Sequence, residues 1–203
     1  MQENNSKDLF EQVPEEKPTT LGSVLLSFFE FIKTVVIIVI LAAIIRLFVI
    51  QPFIVDGQSM EPGFQNNDYL ITEKVSLHFK QPERGEMVIL RPPDNPGVNY
   101  LKRIIGVPGD TIDIKGGYVF VNDKKISEPY IDGQKTVTPN NEELKITLKQ
   151  NEFFAMGDNR NHSRDSREIG PIPKQNIVSH VWIRLFPFNK IKIIKDTTFT
   201  QAP

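Results

Sequence analysis

Cysteine is absent from this 203-residue chain. A nucleophile must therefore be a serine, threonine, lysine or carboxylate, and a base must be one of three histidines, a lysine or an acid. Three segments concentrate such groups. In D-G-Q-S-M-E-P-G-F, Ser59 lies between Gly57 and the Pro62-Gly63 pair, a turn that presents a hydroxyl and leaves backbone N–H groups free. An ordinary surface serine has the same surroundings, and this segment alone favours it. In Y-L-K-R-I-I-G-V-P-G-D (100–110), strand alternation puts Lys102, Ile104 and Gly106 on one face and Leu101, Arg103 and Ile105 on the other. Each face carries a cation among apolar neighbours, so one of the two is expected to turn inward. An exposed lysine with a pKa of about 10.4 is only some 0.04% neutral at pH 7. Lowering that pKa by ~2 units raises the neutral fraction about a hundredfold, at roughly 2.7 kcal/mol to the fold. Such a lysine can serve a serine as general base, although this segment alone favours an edge-strand lysine with its head in water.

The third segment, G-D-N-R-N-H-S-R-D-S-R-E-I-G-P-I-P (157–173), is dense in groups that can form ion pairs within a loop, among them Asp158, Arg160, Arg164, Asp165 and Arg167. It is not a calcium loop, because Arg160 stands where an acid or Asn is needed. A Ser–His–Asp arrangement through His162 stays open. His78 and His180 lie in contexts that suggest no chemistry.

These segments need a scaffold, and the composition limits which. Lys+Arg (24) and Asp+Glu (25) nearly cancel, which argues against a nucleic-acid binder, and 39% hydrophobic residues argue against disorder throughout. Residues 1–20, with two prolines and five acids, read as a flexible tail. Residues 21–50 carry an unbroken apolar run at 35–45 and suffice to cross ~30 Å of hydrocarbon as a helix. The remaining chain reads as strands, too little to hide such a helix as core. A cleavable signal peptide fits poorly, since no small-x-small site follows the run. Lys17 and Lys33 on one side against Arg46 on the other place the N-terminus in the cytoplasm and the bulk of the chain outside.

From 51 to 196 short apolar runs alternate with turn residues. Strands are expected at 69–75, 86–90, 100–107, 111–114, 118–121, 144–148, 152–156 and 179–186, an all-β barrel or sandwich. Met60 to Phe64 can open one helical turn, 129–143 reads as a polar loop, and 197–203 as a second flexible tail.

Together the segments resemble bacterial type I signal peptidases, membrane-anchored Ser–Lys proteases. The serine box S-M-x-P-T-L corresponds to S-M-E-P-G-F at Ser59 to Phe64, and R-G-D-x-V to R-G-E-M-V at Arg84 to Val88. The lysine box matches 100–110 at every fixed position, and G-D-N-R-x-N-S-x-D-S-R matches 157–167 except for His162. The resemblance implies a mainly β, signal-peptidase-like domain behind one transmembrane helix in the plasma membrane. It implies Ser59 as nucleophile and Lys102 as general base, with Ser163 orienting Lys102 and Gly157 allowing close approach to the lysine. Asp158 with Arg103, and Asp165 with Arg167, would brace the site. The Ser59 N–H would supply one oxyanion donor. Some members carry a serine at position 57; here Gly57 leaves its backbone N–H or a water as the second donor. The groove would be lined by Phe53, Val55, Met60, Tyr100 and Leu101, its shape affected by Asp56, Gly63 and Phe64. The implied partners are signal-peptide-bearing pre-proteins and the lipid bilayer, with no nucleic acid, no metal or cofactor, and a monomeric chain. Trp182, Phe186 and Phe188 are either lipid-facing or ordinary core. Two rivals remain: a Ser–Lys self-cleaving repressor, which calls for a basic helix-turn-helix in place of the apolar run, and a catalytically silent peptide-binding module.

Overall fold

A computed structural model of the chain describes residues 21–197 and 199. The expected tail at 1–20, and most of that at 197–203, lie outside the described residues. By its internal contacts the chain divides at Ala43/Ile44 into two units.

In the first unit, helix α1 runs through Leu21–Ile44, about 36 Å at the usual rise per residue. It is long and apolar enough to cross a membrane, and none of its residues is buried against protein. Glu30 and Lys33, one turn apart, pair at 2.9 Å, which lowers the cost of carrying both charges on an apolar helix. The α-helix ends earlier than 50. A π-helical turn occupies Ile45–Val49, and the chain is already a strand at Ile50.

The second unit is antiparallel β. Its elements are β1 (Ile50–Ile54), β2 (Tyr69–Glu73), the short helix α2 (Ser76–Phe79), β3 (Met87–Leu90), β4 (Tyr100–Gly106), β5 (Thr111–Lys115), β6 (Tyr118–Val121), β7 (Lys124–Lys125), β8 (Leu144–Thr147), β9 (Glu152–Met156), the short helix α3 (Ser166–Ile169), β10 (Ile172–Pro173), β11 (Ile177–Phe186) and β12 (Lys192–Ile193). The larger sheet has the order β1-β2-β11-β3-β4-β9-β10, with β12 added to β11; the smaller is β7-β6-β5-β8. β1 is an edge strand, where Pro52 removes no needed ladder bond.

Three apolar clusters pack the unit. The first joins Val55, Met60, Phe64, Leu70, Met87, Ile89, Leu101 and Val181 beneath the Ser59 loop. The second fills the space around the smaller sheet with Ile105, Ile112, Ile114, Val119, Phe154 and Met156. The third gathers Val88, Leu90, Ile104, Phe153, Ala155 and Ile172. β4 therefore has protein on both faces, and all seven of its residues except Tyr100 are buried. The alternation of Lys102 and Arg103 implied one inward cation, whereas both are buried, at 3% and 4% exposure. Trp182, Phe186 and Phe188 are surface residues at 44%, 47% and 74% exposure, beside exposed Ile191 and Ile193. Among these, Phe186 and Phe188 stack edge to face, with centroids 5.3 Å apart.

Candidate active site

Ser59 sits in the loop between β1 and β2, half-buried, and Lys102 is the third residue of β4. Their side chains meet: Lys102 Nζ is hydrogen bonded to Ser59 Oγ at 2.8 Å. The loop is pinned from below by Met60, 1% exposed, and Phe64, whose N–H donates to Met60 O at 2.9 Å. It is pinned from the side by the 157–167 loop. Asn159 N–H donates to Ser59 O at 3.1 Å, and Asn159 Nδ2 to Gln58 O at 3.1 Å.

Burial in the apolar β4 environment is the main force on the amine. It pulls the Lys102 ammonium from its ordinary 10.5 down to about 8; the Asp165 carboxylate acts against it, the Arg167 guanidinium with it, and Asp158 against it. At pH 7 roughly 10% of such a lysine is neutral, against ~0.04% for a free one. An amine of that basicity touching a hydroxyl can take its proton at near-neutral pH.

Charge pairs hold the surrounding loops. Arg103 grips Asp158 through two bonds, Nε to Oδ1 at 2.9 Å and Nη2 to Oδ2 at 2.6 Å, while its Nη1 reaches Gly85 O at 3.0 Å and Thr197 Oγ1 at 2.9 Å. Arg167 holds Asp165 by Nε to Oδ1 and Nη2 to Oδ2, both 2.8 Å, and Asp165 Oδ2 in turn accepts from Gly157 N–H at 3.0 Å. Burial alone would raise the Asp165 carboxyl; Arg167 and the Gly157 amide hold it low. The two expected ion pairs are thus both formed. A third was not foreseen as a pair. Buried Arg160 binds Glu128 through both nitrogens and Gly157 O through Nε at 3.1 Å, and Tyr130 lies beneath both guanidiniums, its ring centroid 4.1 Å from Arg103 and 6.0 Å from Arg160. Only the density of arginines in 157–167 hinted at it. The 84–88 segment joins the frame through Arg84, which donates to both oxygens of Asp110 at 2.7 and 2.5 Å.

Four expected details differ. Ser163 Oγ is buried and forms no hydrogen bond with Lys102; it turns instead toward the Asp165 carboxylate, which it helps to hold low. It is also pressed against Gly157, where a Cβ would meet Ser163 Oγ at 2.2 Å and Ser59 O at 2.4 Å. Gly157 accordingly makes room for Ser163 and the Ser59 carbonyl, and its three nearest neighbours in that direction include no atom of Lys102. The Gly57 N–H is committed to Asn66 Oδ1 at 2.9 Å and is not a free oxyanion donor, whereas the Ser59 N–H has no acceptor among the described residues. The groove residues also separate. Val55, Met60 and Leu101 are closed into the first core cluster, leaving Phe53 and Tyr100 partly exposed, with the Tyr100 ring 5.0 Å from Lys102 Nζ. Phe64 likewise turns into the core. His162 is exposed and bonds Asn159 Oδ1 at 3.3 Å, with no serine in reach of its ring by hydrogen bond.

Among the described residues, one other group could hold a cation. Glu86, His180 and Asp196 offer oxygen and nitrogen atoms within 4.8 Å of one another. Lys80 Nζ already lies 2.9 Å from Glu86 Oε1 and supplies the positive charge there.

A serine hydroxyl bonded to a desolvated amine, on a β framework that follows a helix long and apolar enough to span a membrane, is equipment for hydrolysing acyl bonds. Comparison with known proteins narrows this. A family profile described as signal peptidase, peptidase S26, matches residues 28–186. Signal peptidase I of Bacillus licheniformis is 36% identical over 185 residues, covering 88% of this chain and 97% of that protein. Signal peptidase I S of Bacillus subtilis strain 168 is 36% identical over 176 residues, 82% of this chain and 93% of its own. A solved signal peptidase I from Enterococcus faecalis V583 aligns at a TM-score of 0.43 and 24% identity, over 50% of this chain and 97% of that one. The chain belongs to the signal peptidase S26 family of peptidases.

Proposed function

We propose that this chain removes signal peptides from exported pre-proteins through a Ser59–Lys102 dyad and an acyl-enzyme. The 2.8 Å contact between Lys102 Nζ and Ser59 Oγ carries the reading. Neutral Lys102 accepts the Ser59 proton as Oγ attacks the scissile carbonyl. The amine of the mature protein leaves with that proton, and the signal peptide stays as an ester on Ser59. Lys102 then deprotonates a water, which hydrolyses the ester and restores the serine. The unbonded Ser59 N–H supports the developing oxyanion; with Gly57 engaged by Asn66, a water is the second donor. Edge strand β1, leading into the Ser59 loop, can pair with an extended substrate through its backbone. The resemblance supplies the preference for small residues at P1 and P3.

The span-length helix supports a single-pass anchor in the cell membrane, and the lysine balance supports a cytoplasmic N-terminus. Substrate and enzyme then share one bilayer, which raises their effective concentration. The exposed Trp182, Phe186 and Phe188 support lipid contact by the second unit.

The test is cleavage of a pre-protein by the full chain in detergent, with the product sequenced. Cleavage after a small-x-small site is expected, and a bulky residue at P1 should abolish it; cleavage elsewhere would sink the reading. The pH profile is a second check. Only the neutral amine works, so kcat/KM should climb with pH, reach half its plateau near 8 and fall off below it. A profile governed by a group near pH 6.5 would point to a histidine base. Chelators should leave the rate unchanged.

A further inference from the structure

The connection between β7 and β8 carries a buried polar group that the Ser59–Lys102 reading does not use. Glu128, Tyr130 and Thr136 all turn from it toward the active-site frame. The Glu128 side chain is 6% exposed, and that of its partner Arg160 is fully buried. Glu128 Oε2 accepts from Arg160 Nη1 at 3.1 Å, and Oε1 accepts from Arg160 Nη2 and from Tyr130 Oη, the latter at 2.9 Å. Thr136 Oγ1 accepts from Arg160 Nη1 as well. Both Nη atoms are thus engaged by the connection, and Nε donates to Gly157 O at 3.1 Å. The backbone of Arg160 is tied too, because its carbonyl accepts from Arg167 Nη2 at 2.8 Å. Gly157 in turn lies against Ser59 O, too close to admit a Cβ. The Tyr130 ring also covers the guanidinium of Arg103, the residue next to Lys102, with its centroid 4.1 Å away.

Stability alone does not call for this arrangement. A buried ion pair loses much of its Coulomb gain to desolvation, and apolar residues of similar volume often replace one without loss. Apolar residues could not hold the Gly157 carbonyl at a fixed distance and direction. We propose that Glu128 is a positioning residue for the nucleophile. It locks Arg160, which holds Gly157, and Gly157 sets where the Ser59 carbonyl can lie. The inference rests on the Ser59–Lys102 reading and extends it to a loop of the smaller sheet.

Steady-state cleavage of one pre-protein by the full chain in detergent, well below the thermal midpoint of each variant, tests this. Glu128→Gln keeps the shape but cannot pin the guanidinium by charge. Its kcat should fall about tenfold, a smaller loss than the roughly 10²-fold of a full 1 Å misplacement, with KM within about twofold of wild type. Its arginine is left buried without that counter-charge, so the thermal midpoint should fall as well. The Glu128→Gln, Arg160→Met pair removes both charges together. Its midpoint should return close to that of wild type, while kcat stays about tenfold down or more, because the Nε donor to Gly157 O is gone. The half-plateau pH should stay near 8 in both, since the charges acting on Lys102 are Asp165, Arg167 and Asp158. Recovery of kcat along with the midpoint in the pair would show a merely structural role and overturn the proposal. A displaced half-plateau pH would overturn it too, by showing that the pair acts on the amine through charge. If the wild-type chain does not cleave, the dyad reading falls and this inference with it. If wild type cleaves and Glu128→Gln matches its kcat, this inference alone falls.

Discussion

Replacing Lys102 with Met should remove cleavage and at the same time stabilise the folded chain at neutral pH. The activity loss is expected at about 10⁴-fold, because the amine that touches Ser59 Oγ is gone and general-base help of that order goes with it. Ser59→Ala should lose as much, and the double variant little more, since the two groups act as one unit. The stability gain follows from the burial that tunes the amine. The ammonium titrates at about 8 in the fold against 10.5 when free, so the charged form is disfavoured by roughly 3 kcal/mol. Below pH 8 both folded and unfolded chains hold the proton, and the folded state bears the whole penalty. Between 8 and 10.5 only the unfolded chain holds it, so wild-type stability rises with pH; above 10.5 neither does, and the penalty is gone. A methionine, apolar and of similar length, never bears it. The lost bond to Ser59 offsets about 1 kcal/mol. The net gain of about 2 kcal/mol at pH 7 should lift the thermal midpoint by roughly 4–8 °C and shrink toward pH 10. Paired activity and thermal-melt series across pH check both halves. A variant that cleaves, or one that melts lower than wild type at pH 7, would show that Lys102 is a structural lysine.

Why the pair was visible in sequence while its surroundings were not comes down to range. Ser59 and Lys102 are marked by their immediate neighbours: a turn-forming Gly57 and Pro62 in one case, apolar alternation in the other. Strands at 118–121 and 152–156 were legible for the same reason, being short apolar runs closed by turn residues. β1 was hidden because Ile50 continues an apolar run already long enough to span, and the change from helix to strand depends on its pairing with β2 twenty residues on. β7, β10 and β12, two residues each, have no period to read. The Gly57 amide depends on Asn66, nine positions away, and Arg160 on Glu128, 32 positions away in a stretch where the sequence marks no role. The double burial of Lys102 and Arg103 required knowing that clusters cover both faces of β4, which one strand's alternation cannot tell.

Gly157→Ala should cost at least 10²-fold in kcat/KM, although the residue touches no reacting atom. Its φ is not in the left-handed region, so the glycine is there for space. An added Cβ would lie 2.4 Å from Ser59 O and 2.2 Å from Ser163 Oγ. Neither the loop nor the carbonyl can give easily. Gly157 is held at both ends, its N–H by Asp165 and its carbonyl by Arg160, and both carboxylate and guanidinium are buried in ion pairs. Ser59 O is clamped by Asn159 N–H. Relief to an ordinary contact needs a shift of about 1 Å at Ser59, and a misplacement of that size costs on the order of 10²-fold in rate. Overpacking should also lower stability by about 1–3 kcal/mol. Adding Ser163→Gly separates the effects, because it deletes Ser163 Oγ and Cβ from the clash and leaves only Ser59 O. The double variant should regain most of the stability yet stay slow. Gly109→Ala, with open space but φ +87°, is the control: strained, yet active. Wild-type turnover by Gly157→Ala, or recovery of rate along with stability in the double variant, would mean that the approach of Gly157 to the Ser59 carbonyl does not position the nucleophile.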